Sequence, residues 1–408
     1  MGNLMDVIRS IRATPGTNQD GASAHNRRVI IDALRINGPI SRADLARATS
    51  LTKQAVSNIV EQLANEGFIE ALPAVKRGRG QPFTPYQLVP EGAFAVGLQI
   101  DRYVVRAVMV DFLGQPRFRA QAAISSEAPE DGVEIISKLI DGLREKLAAS
   151  APDWDQRIVG LGVAMPGPFG VSANAHNKWM MSAWQSYPLR EKLAEKTGLA
   201  PEIQNDAAAS AIAERMVGAA NAVDNAVCLF LGFGIGTGLI LNGDIFRGAN
   251  GNAGEIGMAL APCVDGETTL EHSASLASLY SALQIDPALP DIYARVDALV
   301  QARDPALEKW VICAAEDLRR SIQLLENLFD PETIIFCGGA PQSLVSRLID
   351  EMQPLLPSIV ADRVRSVPRL QLGRTDPWSV AQGAAVEPIS RTFDPRYSAL
   401  WKGQPKVD

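Results

Sequence analysis

Residues 41–65, SRADLARATSLTKQAVSNIVEQLAN, constrain this chain most, because they read as two short amphipathic helices joined by a tight turn. Ser41 with Asp44 three positions on resembles a capping box and sets the start of the first helix. Thr52 can cap the second. There Val56, Ile59, Val60 and Leu63 fall at i, i+3, i+4 and i+7, one apolar stripe facing a small core. The opposite face carries Lys53, Gln54, Ser57, Asn58 and Gln62. Amides near the start of such a helix can pair with adenine edges in a major groove, and a lysine with guanine, so Lys53, Gln54, Ser57 and Asn58 are the candidate base readers.

The flanks extend this pattern. Upstream, NRRVIIDALRIN (26–37) reads as a supporting helix with Ile30, Ala33 and Leu34 turned inward, leaving Arg27 and Arg28 free for phosphates; Gly38 and Pro39 end it. Downstream, FIEAL, AVKRGRGQPFTP and YQLV read as strand, turn and strand with a cationic glycine-rich tip, the form of a wing. Lys76, Arg77 and Arg79 can neutralise phosphates there, and Arg79 can enter a narrow minor groove. The alternative, a solvated helical hairpin with a charged loop, does not explain why caps, stripe, polar face and wing agree in order.

A chain of 408 residues implies two or three domains. Residues 1–90 hold 11 Lys+Arg against 7 Asp+Glu, whereas the remainder holds 28 against 39, within a total of −7. A cationic reader is thus joined to an acidic body that would repel DNA. With no apolar run approaching a membrane span and no signal-peptide core, a cytoplasmic protein is expected. Cys228, Cys263, Cys313 and Cys337 lack CxxC spacing and read as reduced core residues, not a disulfide frame. The organisation expected is an arm or short helix over 1–25, a winged helix-turn-helix over 26–90, an α/β body over 91–390 and a tail over 391–408. Pro85 to Gly92 reads as the link to the body, and a helix is expected over 315–329.

In the body, AFAVGLQIDRYVVRAVMVDFLGQPRFRAQ alternates as a strand meander, and Val133, Ile136, Ile140, Leu143 and Leu147 keep helical spacing before the apolar strand at 158–164. A weaker echo follows in AVCLFLGFGIGTGLILNGDIF, strand, glycine-rich turn and strand, which suggests a duplicated lobe. Gly232, Gly234, Gly236 and Gly238 would let backbone amides face an anion, although turn geometry alone can demand such glycines.

With QNDAAASAIAE at 204–214, GEIG at 254–257, LEHSAS at 270–275 and IIFCGGA at 334–340, the chain resembles the ROK family of repressors and sugar kinases over about residues 26–390. The resemblance implies a two-lobed actin-like, ribonuclease-H-like ATPase fold with a sugar in the cleft. It implies that Asp206 occupies the catalytic-base position, which takes a proton from a sugar hydroxyl, with Asn205 beside it; Asp206 can equally cap the helix that follows. Glu255 and Glu271 match the family's other sugar-contacting carboxylates, and Gly338 and Gly339 its nucleotide-side turn.

The chain also departs from that pattern. Where the family's kinases carry an Asp and a GGT phosphate loop, this sequence has Gln99, Asp101, Arg102 and Tyr103. An amide organises Mg²⁺ poorly, and the bulky side chains would obstruct ATP phosphates, so no kinase activity and no cofactor are expected. Met258 replaces a His, only Cys263 remains of a zinc-binding cluster, and Met180 replaces a sugar-binding Asn, so no metal is expected. A DNA-binding regulator of carbohydrate-related genes, most readily a repressor acting as a homodimer or homotetramer on operator DNA, with a degenerate sugar-sensing body, is the expectation. An active sugar kinase with an attached DNA-binding domain is the alternative, and a ligand-independent DNA binder a third.

Overall fold

A computed structural model describes residues 19–76, 82–170, 181–263 and 266–395. Helix α1 (Gln19–Asn37), strand β1 (Ile40–Ser41), helices α2 (Arg42–Thr49) and α3 (Lys53–Asn65) and strands β2 (Ile69–Ala71) and β3 (Pro85–Leu88) form the front unit. Ser41 Oγ accepts from Asp44 N at 3.1 Å and donates to Asp44 Oδ2 at 2.7 Å, so one serine starts α2 and holds its own acid in place. Thr52 Oγ1 accepts from Ala55 N at 3.2 Å to start α3. Val56, Ile59, Val60 and Leu63 are buried against Ile30, Leu34 and Leu45.

Two boundaries differ from expectation. Helix α1 is already formed at Gln19, the first described residue, well ahead of Asn26, because the polar run QDGASAHN carries no apolar stripe to announce it. The strand read at YQLV is present as Pro85–Leu88, the middle strand of the sheet β1-β3-β2 pairing with both neighbours, so the link to the body starts only after Leu88 and not at Pro85. The Val75–Phe83 bridge closes the wing's stem, while its tip, including Arg77 and Arg79, lies outside the described residues.

The body contains two sheets of the same topology. The first has β4 (Phe94–Ile100), β5 (Val104–Asp111), β6 (Pro116–Ala123), β7 (Ile158–Met165) and β8 (Pro201–Asn205) in the order β6-β5-β4-β7-β8. The second has β9 (Ala226–Leu231), β10 (Ile235–Leu241), β11 (Asp244–Phe246), β14 (Thr333–Gly338) and β15 (Leu370–Thr375) in the order β11-β10-β9-β14-β15, with β12 (Leu260–Cys263) and β13 (Gly266–Thr269) a separate hairpin. The echo between the two strand meanders is thus a repeated lobe.

Helix α4 (Pro129–Ser150) buries its predicted stripe, Val133 to Leu147, on the first sheet; α5 (Leu189–Thr197) and α6 (Asp206–Val217) flank β8. Helices α7 (Leu270–Ala274), α8 (Leu276–Leu283), α9 (Ile292–Gln301), α10 (Pro305–Phe329) and α11 (Gln342–Glu351) cover the second sheet. Helix α10 starts well ahead of the expected residue 315: Asp304 caps it by accepting from Ala306 N and Leu307 N, with Pro305 at its first position.

The last helix among the described residues, α12 (Ser379–Phe393), follows β15 of the second lobe but packs on β4 and β7 of the first. Gly97 and Gly162 make that possible: a Cβ on Gly162 would lie 1.8 Å from Ala384 O, and one on Gly97 2.0 Å from Ala381 O. The same helix reaches the front unit. Phe393 packs on Phe112 (ring centroids 4.6 Å) and Phe68 (5.3 Å), so the core of the DNA-reader-like unit runs without a gap into the first lobe.

Candidate functional site

On the front unit, Lys53, Gln54 and Asn58 are exposed along α3 and Ser57 is half-buried, with the apolar stripe turned away. Gln54 Nε2 donates to Asn58 Oδ1 at 2.9 Å, which couples the two amides one helical turn apart. Lys76 is exposed at the wing's stem. Arg27 corrects the sequence reading: it is not free, but grips Glu66 with both terminal nitrogens. That partner lies at the end of α3, a contact no local pattern announces. Arg28 is half-buried on the same helix.

In the body, a cleft of about 370 Å³ opens between the lobes and brings Asn205, Asp206, Glu255 and Glu271 together. Asn205 at the end of β8 caps α6: its Oδ1 accepts from Ala207 N at 2.7 Å, and its Nδ2 donates to Glu255 Oε1 at 3.0 Å. Asp206 is therefore not the cap but the first helical residue, and its Oδ1 is buried with no partner among the described residues. Burial, reinforced by the nearby charge of Asp101, pushes its carboxyl well above the usual range. Burial and then Glu271 raise Glu255 to about 7.

Glu271, in the first turn of α7, accepts from Ile235 N at 3.2 Å. The glycine-rich turn is shaped around it, since a Cβ on Gly234 would lie 2.3 Å from Glu271 Oε2. Gly238 similarly admits α6, whose Ala207 O would be 2.4 Å from an added Cβ. Here the glycines make room for an acid and a helix, and an internal carboxylate occupies the Ile235 amide.

The turn after β4 is filled as well. Gln99 is 5% exposed and stands opposite Arg106 across the β4–β5 pair. The Arg102 guanidinium lies 4.3 Å from the Phe233 ring centre, Tyr103 meets that ring edge-on at 6.2 Å, and Phe233 continues to Tyr280 at 6.3 Å. First-lobe side chains thus reach the glycine-rich turn of the second lobe across the cleft. The residues present do not fit Mg·ATP: the acid that would organise the metal is an amide, and a guanidinium–aromatic stack occupies the approach. Met258 lies on the cleft wall, half-exposed, and offers no ligand nitrogen for zinc. The Cys263 side chain and Met180 lie outside the described residues.

Arg106, Phe233 and Tyr280 are cleft residues the sequence reading missed. For Arg106 the signal was present: an arginine within the apolar strand VVRAVMV, on the same face as Val104. Gly339 also lines the cleft, beyond Gly338, whose φ of +127° and close approach to Leu231 O favour glycine.

A winged helix-turn-helix on a duplicated α/β body with an acid-lined interlobe cleft defines the class, and comparison with known proteins places it: residues 96–386 match the ROK family, and the chain belongs to that family. Residues 29–80 match the MarR family. The chain is 27% identical over 334 residues to the xylose repressor of Caldicellulosiruptor bescii, spanning 77% of this chain and 83% of that one. It is 23% identical over 320 residues to the DNA-binding transcriptional dual regulator NagC of Escherichia coli K12, spanning 74% and 77%. In architecture it resembles a crystal structure of a ROK family transcriptional regulator, a homologue of the E. coli MLC protein, with a TM-score of 0.67 at 21% identity over 93% of this chain and 99% of the other. Among the described residues, no helix is long and apolar enough to cross a membrane.

Proposed function

We propose that the chain is a cytoplasmic transcriptional repressor of carbohydrate-related genes. It grips operator DNA through α3 and the wing and senses a sugar in the interlobe cleft. The observation that carries this function is the division of α3 into a buried apolar stripe and an exposed face of Lys53, Gln54 and Asn58. The match to repressor relatives over 77% and 74% of this chain, with the MarR-family match over residues 29–80, supports it. Lys53, Gln54, Ser57 and Asn58 read bases, while Arg28, Lys76, Arg77 and Arg79 hold phosphates; Arg27 sets the pitch of α1 against α3 through Glu66. One recognition helix covers too few base pairs for useful specificity, so the working unit is a symmetric homodimer, or a tetramer built from one, on a palindromic site. A sugar accepted by Asn205, Asp206, Glu255 and Glu271 biases lobe closure, and with it the spacing of the wings, in proportion to its unequal affinity for the two states.

Footprinting over the protein's own promoter, with and without a panel of sugars, tests this. Protection of a two-fold symmetric site that one sugar relieves is expected; no protected site on that promoter or on a genomic fragment library would overturn it.

A second reading, an active sugar kinase, is favoured by the unpartnered Asp206 Oδ1 facing the cleft. ATP turnover with the sugar panel that Asp206→Asn abolishes would establish it; the stack of Arg102 on Phe233 predicts none.

A further inference from the structure

The middle of the cleft holds a pair of arginines that recognition of hydroxyl groups leaves unused. Gln99 and Arg106 face each other on β4 and β5, and Arg106 Nη1 donates to Gln99 Oε1 at 3.4 Å, a long and weak bond. Arg106 Nε is buried with no partner among the described residues. Burial pushes this guanidinium below its ordinary range, an effect that Asp101, the acid acting on it most, does not offset. Asp101 is also the acid beside Arg102, at 3.4 Å. Arg102, packed on Phe233, holds a second guanidinium at the same turn.

Of the other acids nearby, Asp206 also acts on Arg106, though less than Asp101 does. Asp206 and Glu255 are both pushed upward by burial, Asp206 well above the usual carboxylate range. A buried guanidinium without sufficient counter-charge is unfavourable until an anion completes its planar fork. Asp206 feels the charge of both arginines, which places the pair next to the hydroxyl-binding end of the cleft. The amide at Gln99 adds to the pattern, since a carboxylate there would repel an incoming anion.

We propose that the effector is a sugar bearing an anionic substituent, a phosphate or a carboxylate, seated on Arg106 and Arg102 while its hydroxyls meet Asn205, Asp206, Glu255 and Glu271. The proposal rests on the carbohydrate reading of the cleft and adds a ligand class to it. Arg106 presents Nε and a terminal nitrogen to the anion, and Arg102, held flat by the Phe233 ring, supplies the second charge.

Calorimetric titration of the full-length protein at pH 7.5 tests this with matched probes: glucose, glucose 6-phosphate and glucuronate; N-acetylglucosamine and its 6-phosphate; mannose and its 6-phosphate; inorganic phosphate and AMPPNP alone. Within at least one set, an anionic member should bind about tenfold or more tightly than its neutral parent, the factor one charge-assisted hydrogen bond supplies. The phosphate and glucuronate arms distinguish the two anions. Arg106→Met should reduce that preference to about threefold or less. Gln99→Glu, which keeps Arg106 in place, should weaken the anionic member by about tenfold through like-charge repulsion, so a misfolded Arg106 variant does not decide the matter.

Neutral parents binding as tightly as their anionic partners would sink the anion subsite and leave the sugar cleft standing. Inorganic phosphate or AMPPNP binding as tightly as any sugar derivative would also sink it. No binding by any member would remove the carbohydrate reading together with the proposal.

Discussion

Asn205 ties the two lobes together: its amide nitrogen donates to Glu255 Oε1 at 3.0 Å while its carbonyl oxygen caps α6 through Ala207 N at 2.7 Å. One short side chain therefore sets the start of a first-lobe helix and aims an acid that the second lobe contributes. Asn205→Ala should lower stability by about 1 kcal/mol through the lost cap. It should also leave Glu255 without its donor, so sugar affinity falls more than that of an equally destabilised variant far from the cleft. Paired denaturant and binding titrations check this; an unchanged affinity contradicts it.

Glu255 gives the protein a pH dependence of defined sign. Burial and Glu271 raise its carboxyl from near 4.5 to about 7, so the folded chain holds this proton more tightly than the unfolded one. Its stabilising contribution is full below pH 4.5 and is lost as pH climbs to about 7. Glu255→Gln should therefore gain roughly 2 to 3 kcal/mol over the natural chain at pH 8, and much less at pH 5. Urea unfolding at both pH values measures it, and an equal shift at the two would contradict the assignment.

Two glycines should respond oppositely to alanine. At Gly162 the new methyl would lie 1.8 Å from Ala384 O, backbone that cannot yield without lifting α12 from the first sheet, and a loss of about 3 kcal/mol or more is expected. Gly142 lies inside α4 with open space around it, so Gly142→Ala should stabilise by about 0.5 to 1 kcal/mol. Thermal melts of the two variants decide it, and shifts of the same sign would refute the packing described for α12.

The amide pair on α3 predicts coupled DNA recognition. Because Gln54 Nε2 bonds Asn58 Oδ1, removing either side chain frees the other, and each single change should alter preference at its base pair by roughly 1 to 3 kcal/mol. The double variant Gln54→Ala/Asn58→Ala should lose less than the sum. Lys76→Ala should weaken all sequences alike and reduce the salt slope. Strict additivity of the two amide changes would show that the pair separates on DNA.

What was legible in the sequence was local. Caps at Ser41 and Thr52 and the Val56–Leu63 stripe follow from spacing within a few residues, and the structure has them as read. The carboxylates Asp206, Glu255 and Glu271 were named through family motifs, and the structure brings them to one cleft. Missed features depended on partners distant in sequence: the Arg27–Glu66 pair, the register that sets Gln99 against Arg106, and the ring of Phe233 beneath Arg102. Others failed by a residue or a propensity. The cap of α6 fell on Asn205 and not Asp206, and α1 began in a stretch too polar to show a helical period.

Helix α12 crosses from the second lobe to seal the first, and ends against the aromatic footing of the front unit at Phe68 and Phe112. A ribosome making this chain must therefore release Ser379–Phe393 before the first sheet is covered or the front unit has its full seat. A product broken off ahead of that helix would carry Lys53, Gln54, Ser57 and Asn58, the residues proposed to read bases, yet lack part of the footing on which their unit sits. Nonsense mutations late in the gene should then behave as losses of repression.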